Sequence, residues 1–201
     1  ISIELNDENK HRQETETDIL NQAIELIEKE IDVDKEKVIV IAGENWHHGV
    51  TGIVASRITE RYYRPCILLS ADDGIAKGSG RSIEGFNLFK ALCHCDNLLQ
   101  KYGGHELAAG LTLEVEKIDD FRKRINSYAD EVMDESDLLP RIKIDAYINK
   151  DDINIESVME LEKLAPFGSG NPEPAFASTG LEISEIFTVG SNKHLKLKLK
   201  C

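Results

Sequence analysis

Apolar residues recur along this chain with two different periods, and the switches between them mark its elements. From Gln13 to Ile31 they fall at Leu20, Ile24, Ile27 and Ile31, a spacing that lines one helix face. Asp32-Val33-Asp34-Lys35 breaks that pattern. Val38-Ile39-Val40-Ile41-Ala42-Gly43 follows as a continuous β-branched run, short and ended by glycine, which predicts a buried strand. Helical spacing returns from about Val50 to Tyr62, with Ile53, Val54, Ile58 and Tyr62 on a common face, and Pro65 closes the connection. Cys66-Ile67-Leu68-Leu69-Ser70 predicts the next buried strand. After an Asp72-Asp73-Gly74 turn, Ile75 to Ile83 has strand character despite its glycines. Asn87 to Tyr102 is predicted helical, with Gly103 ending it as a C′ glycine. Leu111-Thr112-Leu113 predicts another strand and Ile118 to Met133 another helix. Strands alternating with helices indicate an α/β domain over about 37–135.

The pattern then changes character. Arg141 to Ile148 alternates polar and apolar, as a half-exposed strand does. A short helix near Ile155–Leu164 is ended by Pro166, and Phe167 to Pro174 is a turn rich in glycine and proline. Three alternating stretches follow, the last being His194 to Lys200, so a β-rich domain is expected to open here without its closing strands. The first residue is not methionine and the last residues lie within an alternation, so the chain is expected to be a piece of a longer protein.

Charge changes the picture more than composition does. The net charge of −13 argues at first against nucleic acid. Residues 1–37 carry 12 acidic and 5 basic side chains, and residues 114–201 carry 18 and 12. Residues 38–113 hold 7 of each and four of the six histidines, so the acidity sits on the flanks and the middle can present a local basic site. No apolar run approaches membrane-spanning length, and no secretory signal is visible at Ile1–Leu5. Cys66, Cys93, Cys95 and Cys201 show no disulfide framework, which fits a reducing cytoplasm. Cys93-His94-Cys95 invites a metal reading, but in a helix positions two apart point about 200° from each other. No metal is expected there.

Three segments favour anions. Gly43 to Gly52 joins a buried strand to a helix, a junction that presents free backbone N–H groups and the positive helix end. Within it Trp46 offers a flat face for a base and His47 a donor for a phosphate. Lys77-Gly78-Ser79-Gly80-Arg81-Ser82 is a second cradle: Ser79, Gly80 and Ser82 allow close approach and donate, and Arg81 grips a phosphate bidentately. It is not a P-loop, and Glu84 is an alternative partner for Arg81. In Lys101 to Gly110, Gly103 and Gly104 free the backbone, His105 supplies a donor, and Ala108-Ala109-Gly110 leaves room for something else to approach. There is no Asp/His set with two-metal spacing and no convincing nucleophile–base pair.

Gly103-Gly104-His105 with Ala108-Ala109-Gly110 resembles the signature of the DHHA1 domain, the accessory lobe of DHH phosphoesterases. Trp46-His47, Gly49-Val50, Gly52 to Arg57, Tyr63-Arg64-Pro65 and Gly78 to Ser82 narrow the resemblance to the RecJ family of single-strand-specific 5′→3′ exonucleases. Leu5-Asn6, Asn9 and Arg12-Gln13 are similar to the linker entering that family's connecting helix, and Leu164 to Pro174 to the start of its OB-fold. His48 departs from the pattern, which more often has proline there. The resemblance implies an α/β DHHA1-type domain with a mixed sheet and flanking helices over 37–139. It also implies a connecting helix over 1–36 and a partial OB-like domain over 140–201.

It further implies that the catalytic DHH lobe, with its Mn²⁺ or Mg²⁺ ions, lies before residue 1. This chain would then grip single-stranded DNA against its own N-terminal DHH domain. Ser79, Arg81, Ser82, Gly104 and His105 would hold phosphates, with His105 at most assisting catalysis. Lys193, Lys196, Lys198 and Lys200 would track the strand further. A phosphodiesterase of the same family acting on short oligonucleotides or signalling dinucleotides, and a stand-alone single-strand-binding module, are the alternatives.

Overall fold

The computed structural model describes residues 2–200, with side chains from Leu5 onward; Ile1 and Cys201, and with the latter one of the four cysteines, lie outside the described residues. The chain divides into two compact units, residues 1–140 and 141–201. In the first, α1 (Ser2–Glu30), β1 (Ile39–Glu44), α2 (His48–Tyr62), β2 (Cys66–Asp72) and β3 (Ile75–Arg81) are followed by α3 (Leu88–His94), β4 (Lys101–Gly104), β5 (Ala108–Glu114) and α4 (Ile118–Val132). The five strands form one mixed sheet in the order β1-β2-β3-β5-β4, with β1 parallel to β2 and every other pair antiparallel.

Alternation along the strands sends side chains to two cores. On one face Val38, Val40, Ile67, Leu69, Ala109, Leu111 and Leu113 pack against α3 and α4 through Leu88, Leu92, Phe121 and Ile125. On the other, Ile39, Ile41, Cys66 and Leu68 pack against α1 and α2 through Ile19, Ala23, Ile27, Val54 and Ile58. The buried stripe of α1 is therefore Ile19-Ala23-Ile27, continued by Ile31 just past the helix, and rotated from the predicted one: Ile24 is outside it and Leu20 only partly buried. Ile53 of α2, expected on the packed face, is 38% exposed.

Two polar devices hold this unit in register. Asn126 of α4 turns its amide onto the outer edge of the sheet, accepting from Val38 N–H at 2.9 Å and donating to Val38 C=O at 3.0 Å. Arg122 donates to Val40 C=O beside it, so the β1 edge is closed by side chains. At the end of α2, Tyr63 takes a left-handed conformation, and Arg64 donates to the carbonyls of Tyr63, Leu138 and Val33.

One expected helix is two elements. Asn87 caps α3 by accepting from Lys90 N–H, but the helix ends at His94, and Lys101–Gly104 is strand β4. Gly103 is thus a ladder residue opposite Gly110, and Ala108-Ala109-Gly110 lies inside β5. The local apolar spacing favours a helix, but pairing of 101–104 with β5 fills the sheet edge that a helix there would leave open.

The second unit contains β6 (Ala146–Tyr147), α5 (Ile155–Glu162), β7 (Phe176–Ala177) and the hairpin β8 (Glu182–Val189) and β9 (His194–Lys200). Only two residues of the expected 141–148 strand pair, in parallel with β7. Gly168 and Asn171 exchange both backbone hydrogen bonds, and the Asn171 amide donates to the carbonyls of Leu164 and Pro166, which makes 164–171 a closed turn. On the hairpin, Leu195, Leu197 and Leu199 line one exposed face with Ile183 and Ile186.

Candidate nucleic-acid interface

The sheet face that carries α2 is only partly covered. Lys77, Ser79 and Arg81 on β3 share that face with Ala108, Gly110 and Thr112 on β5 and with Lys101 and Gly103 on β4, because directly paired residues point the same way. Helix α2 packs over β2 and β3. Gly110, Gly103 and Lys101 are exposed beyond it. The result is a shelf with α2 as its wall and a floor almost free of side chains: Ser79, Gly110 and Gly103 form one row across three strands.

Arg81 stands at the head of the shelf. Its Nη1 donates to Gly80 C=O at 2.9 Å, and its guanidinium lies against α2 at Gly52, where a Cβ would come within 2.9 Å of Nη2. Among the described residues it makes no ion pair, with Glu84 or any other acid, so most of its donors are free. Arg81 pairs with Ala108, whose carbonyl accepts the His105 N–H at 2.8 Å, so the exposed His105 loop flanks the same end of the sheet. That loop is pinned on both sides: Glu106 C=O accepts from Leu88 N–H and Leu107 C=O from Ser82 N–H, each at 2.9 Å.

The two glycines of this loop do different things. Gly103 has nothing within 4 Å of a would-be Cβ and leaves the floor open. Gly104 has φ +151°, and a Cβ there would sit 2.4 Å from Ala108 O. Its backbone is therefore reserved for glycine.

Other expected site residues take structural parts. Trp46 is 4% exposed; its ring fills the space beside Gly43 and its Nε1 donates to Gln22 of α1 at 2.9 Å. No face of that ring is open to a base, which corrects the stacking expectation. Gly80 is buried and points to the opposite face, where a Cβ would meet Leu88 at 2.7 Å. The Ser82 hydroxyl donates to Phe86 C=O at 2.7 Å and fastens the turn into α3. His47 caps α2, its Nδ1 accepting from Gly49 N–H at 3.1 Å, which leaves Nε2 as the donor. It lines a hollow of about 220 Å³ with His11, Arg12 and Thr15 of α1, a hollow that none of Ser79, Arg81 and His105 lines.

Sequence reading missed Gly52 as the seat of Arg81, because nothing local links residues 52 and 81. It also missed a clamp behind the site. Glu16, with a side chain only 3% exposed, lies 2.9 Å from Arg12 Nη1 and 2.6 Å from Arg57 Nη2. The Arg57 contact is off the hydrogen-bond line, so its attraction is Coulombic.

Among the described residues no group of three or more His, Cys, Asp and Glu comes together to hold a metal, and no helix is long and apolar enough to cross a membrane. Cys93 is exposed while Cys95 turns into the core, where burial pushes its thiol up to about 12. In the second unit the basic side of β9 faces acids: Lys198 Nζ is 2.6 Å from Glu185, and Glu182 is opposite Lys200.

The chain matches the family described as DHHA1 domain over residues 35–131 and that described as RecJ OB domain over residues 144–201. It is 40% identical over 203 residues to the single-stranded-DNA-specific exonuclease RecJ of Bacillus subtilis, covering all of this chain and 26% of that protein. To the enzyme of the same name from Haemophilus influenzae it is 35% identical, covering all of this chain and 36% of the relative. The crystal structure of RecJ in complex with Mn²⁺ from Thermus thermophilus superposes with a TM-score of 0.81 at 32% identity, over 98% of this chain and 28% of that one. The chain thus spans about a quarter to a third of the relatives it matches, in the region that holds their DHHA1 and OB domains. It belongs to the RecJ family.

Proposed function

We propose that this chain is the strand-holding part of a cytoplasmic single-stranded-DNA-specific 5′→3′ exonuclease. Its DHHA1 shelf grips phosphates opposite a catalytic DHH lobe supplied elsewhere in the longer protein. The observation that carries this reading is the Arg81 guanidinium, free of any acid, beside the Ser79 hydroxyl at the head of an open strand face. A guanidinium in that setting suits a phosphate, which it meets with two parallel hydrogen bonds. The Ser79 hydroxyl, without a side-chain hydrogen bond among the described residues, adds a donor on the same side. His105 and the open Gly103–Gly110 floor admit the backbone of a strand. The OB unit contributes further single-strand contacts, as such domains do through charge and stacking.

Manganese or magnesium ions would belong to the catalytic lobe; among the described residues no group of three or more His, Cys, Asp and Glu comes together to hold them. The crystal structures that resemble this chain hold Mn²⁺ or Mg²⁺ in RecJ, which supports that assignment. Arg81→Ala in the full-length enzyme tests the reading. Loss of one charge-assisted contact worth about 1.5–3 kcal/mol should weaken single-strand affinity by roughly tenfold to a hundredfold. The unfolding temperature should hold. Unchanged affinity in a protein that unfolds earlier would make Arg81 structural. Preference for dinucleotides over long single strands would favour the short-oligonucleotide phosphodiesterase instead.

A further inference from the structure

The shelf has a second cationic row. Lys77 of β3 pairs with Thr112 of β5, and Thr112 pairs with Lys101 of β4, so the three side chains stand abreast on the face that carries Arg81 and Ser79. Strands lie about 4.8 Å apart, which puts the two lysine Cα atoms roughly 10 Å from each other with a threonine hydroxyl between them. Both lysines are exposed, and among the described residues neither ammonium group makes a hydrogen bond or ion pair. The nearest acid on this face along β5, Glu114, is already engaged by Lys117 at 3.1 Å and Gln100 at 3.4 Å. Two unpaired like charges on either side of one polar side chain are favoured by an anion between them.

Resting on the strand-holding reading above, we propose that Lys77, Thr112 and Lys101 form a second phosphate subsite for the same strand. Arg81 and Lys77 are four residues apart on β3, about 13 Å along the strand direction. With the Arg81 guanidinium tied back to Gly80 C=O and seated against Gly52 rather than reaching toward Lys77, the two rows hold different phosphates of one backbone. The Ser79–Gly110–Gly103 row between them carries almost no side-chain volume and lets the intervening nucleotide lie on the sheet. Lysine suits this row as Arg81 suits the first: a point charge on a flexible stem tracks a backbone, whereas the rigid fork fixes an end.

The test uses the full-length enzyme in chelator, so that an oligonucleotide is bound and not cut. Lys77→Gln, Lys101→Gln and the double variant are titrated with single-stranded oligonucleotide over a range of salt. The double variant should lose about tenfold in affinity, and its slope of log affinity against log salt should fall by about 0.7, the contribution of one phosphate neutralised on a single strand. Lys77→Arg with Lys101→Arg should recover both quantities, and thermal unfolding should stay at the parent value throughout. Parent-like affinity and slope in the double glutamine variant, while Arg81→Ala weakens binding, would overturn the second subsite and leave the strand-holding reading standing. A loss that arginine does not restore, or one that follows a lower unfolding temperature, would also overturn it. If Arg81→Ala is without effect too, the reading beneath falls with it.

Discussion

Gly103 and Gly104 are neighbours with opposite reasons for being glycine, and that difference can be measured. At Gly104 a methyl group would press on Ala108 O and on Ala109 Cα at 2.5 Å, both backbone atoms of a paired strand, and at a φ that alanine resists. Gly104→Ala should therefore cost about 1–3 kcal/mol of stability, seen as an earlier thermal transition. At Gly103 the methyl would enter open space. Gly103→Ala should leave stability within about 0.5 kcal/mol. By filling the shelf floor it should weaken single-strand binding instead. Equal destabilisation by both substitutions would contradict this loop geometry. Trp46 teaches the complementary lesson: aromatic chemistry suggests a stacking platform, but the missing Cβ of Gly43 draws the ring inward and Gln22 takes its N–H.

Helices α1 and α2 meet through a buried carboxylate, and its two arginines make a distinctive prediction. Glu16 is almost fully enclosed, whereas Arg12 and Arg57 have side chains 42% and 52% exposed. Removing one arginine leaves the carboxylate with the other, so Arg12→Ala and Arg57→Ala should each cost about 1 kcal/mol. Removing both strands a buried charge, for which about 3–5 kcal/mol is usual. Chemical denaturation of the four-member set checks this; additive losses would mean that Glu16 is hydrated and the clamp is not a unit. At this scale sequence periodicity served well wherever an element buries a face of its own. The strands β1 and β2, both buried on two sides, and the helices α2 and α4 are legible from residue spacing alone. The α3–β4 segment was not, because its leucines satisfy a helical template while its fate is decided by pairing with β5, a contact no local window contains. The same blindness hid the site's layout: Ser79, Gly110 and Gly103 form a row only in the ladder, and Gly52 supports Arg81 only through the packing of α2 on β3.

For the molecule as a whole, the net charge of −13 and the proposed hold on an anionic strand must be reconciled. The acids lie mainly outside the 38–113 segment, and on the second unit Lys198 and Lys200 of β9 face Glu185 and Glu182 of β8. Binding by this chain should then depend on few contacts: Arg81, Lys77 and Lys101 on the shelf, and little else that is both cationic and unpaired on that face. At about 0.7 per phosphate, the two phosphates these three cations hold give a slope of log affinity against log salt near −1.4. The purified chain should accordingly bind single-stranded DNA weakly, lose that binding only about two- to threefold for each doubling of salt, and hydrolyse none of it when Mn²⁺ is added. A slope near zero would mean that the shelf does not touch phosphates. A slope near −5 would place most of the grip on cations beyond these three, with the second unit's lysines first among them. Robust metal-dependent hydrolysis by the purified chain would overturn the division of labour itself, because it would require metal ligands that the described residues do not bring together.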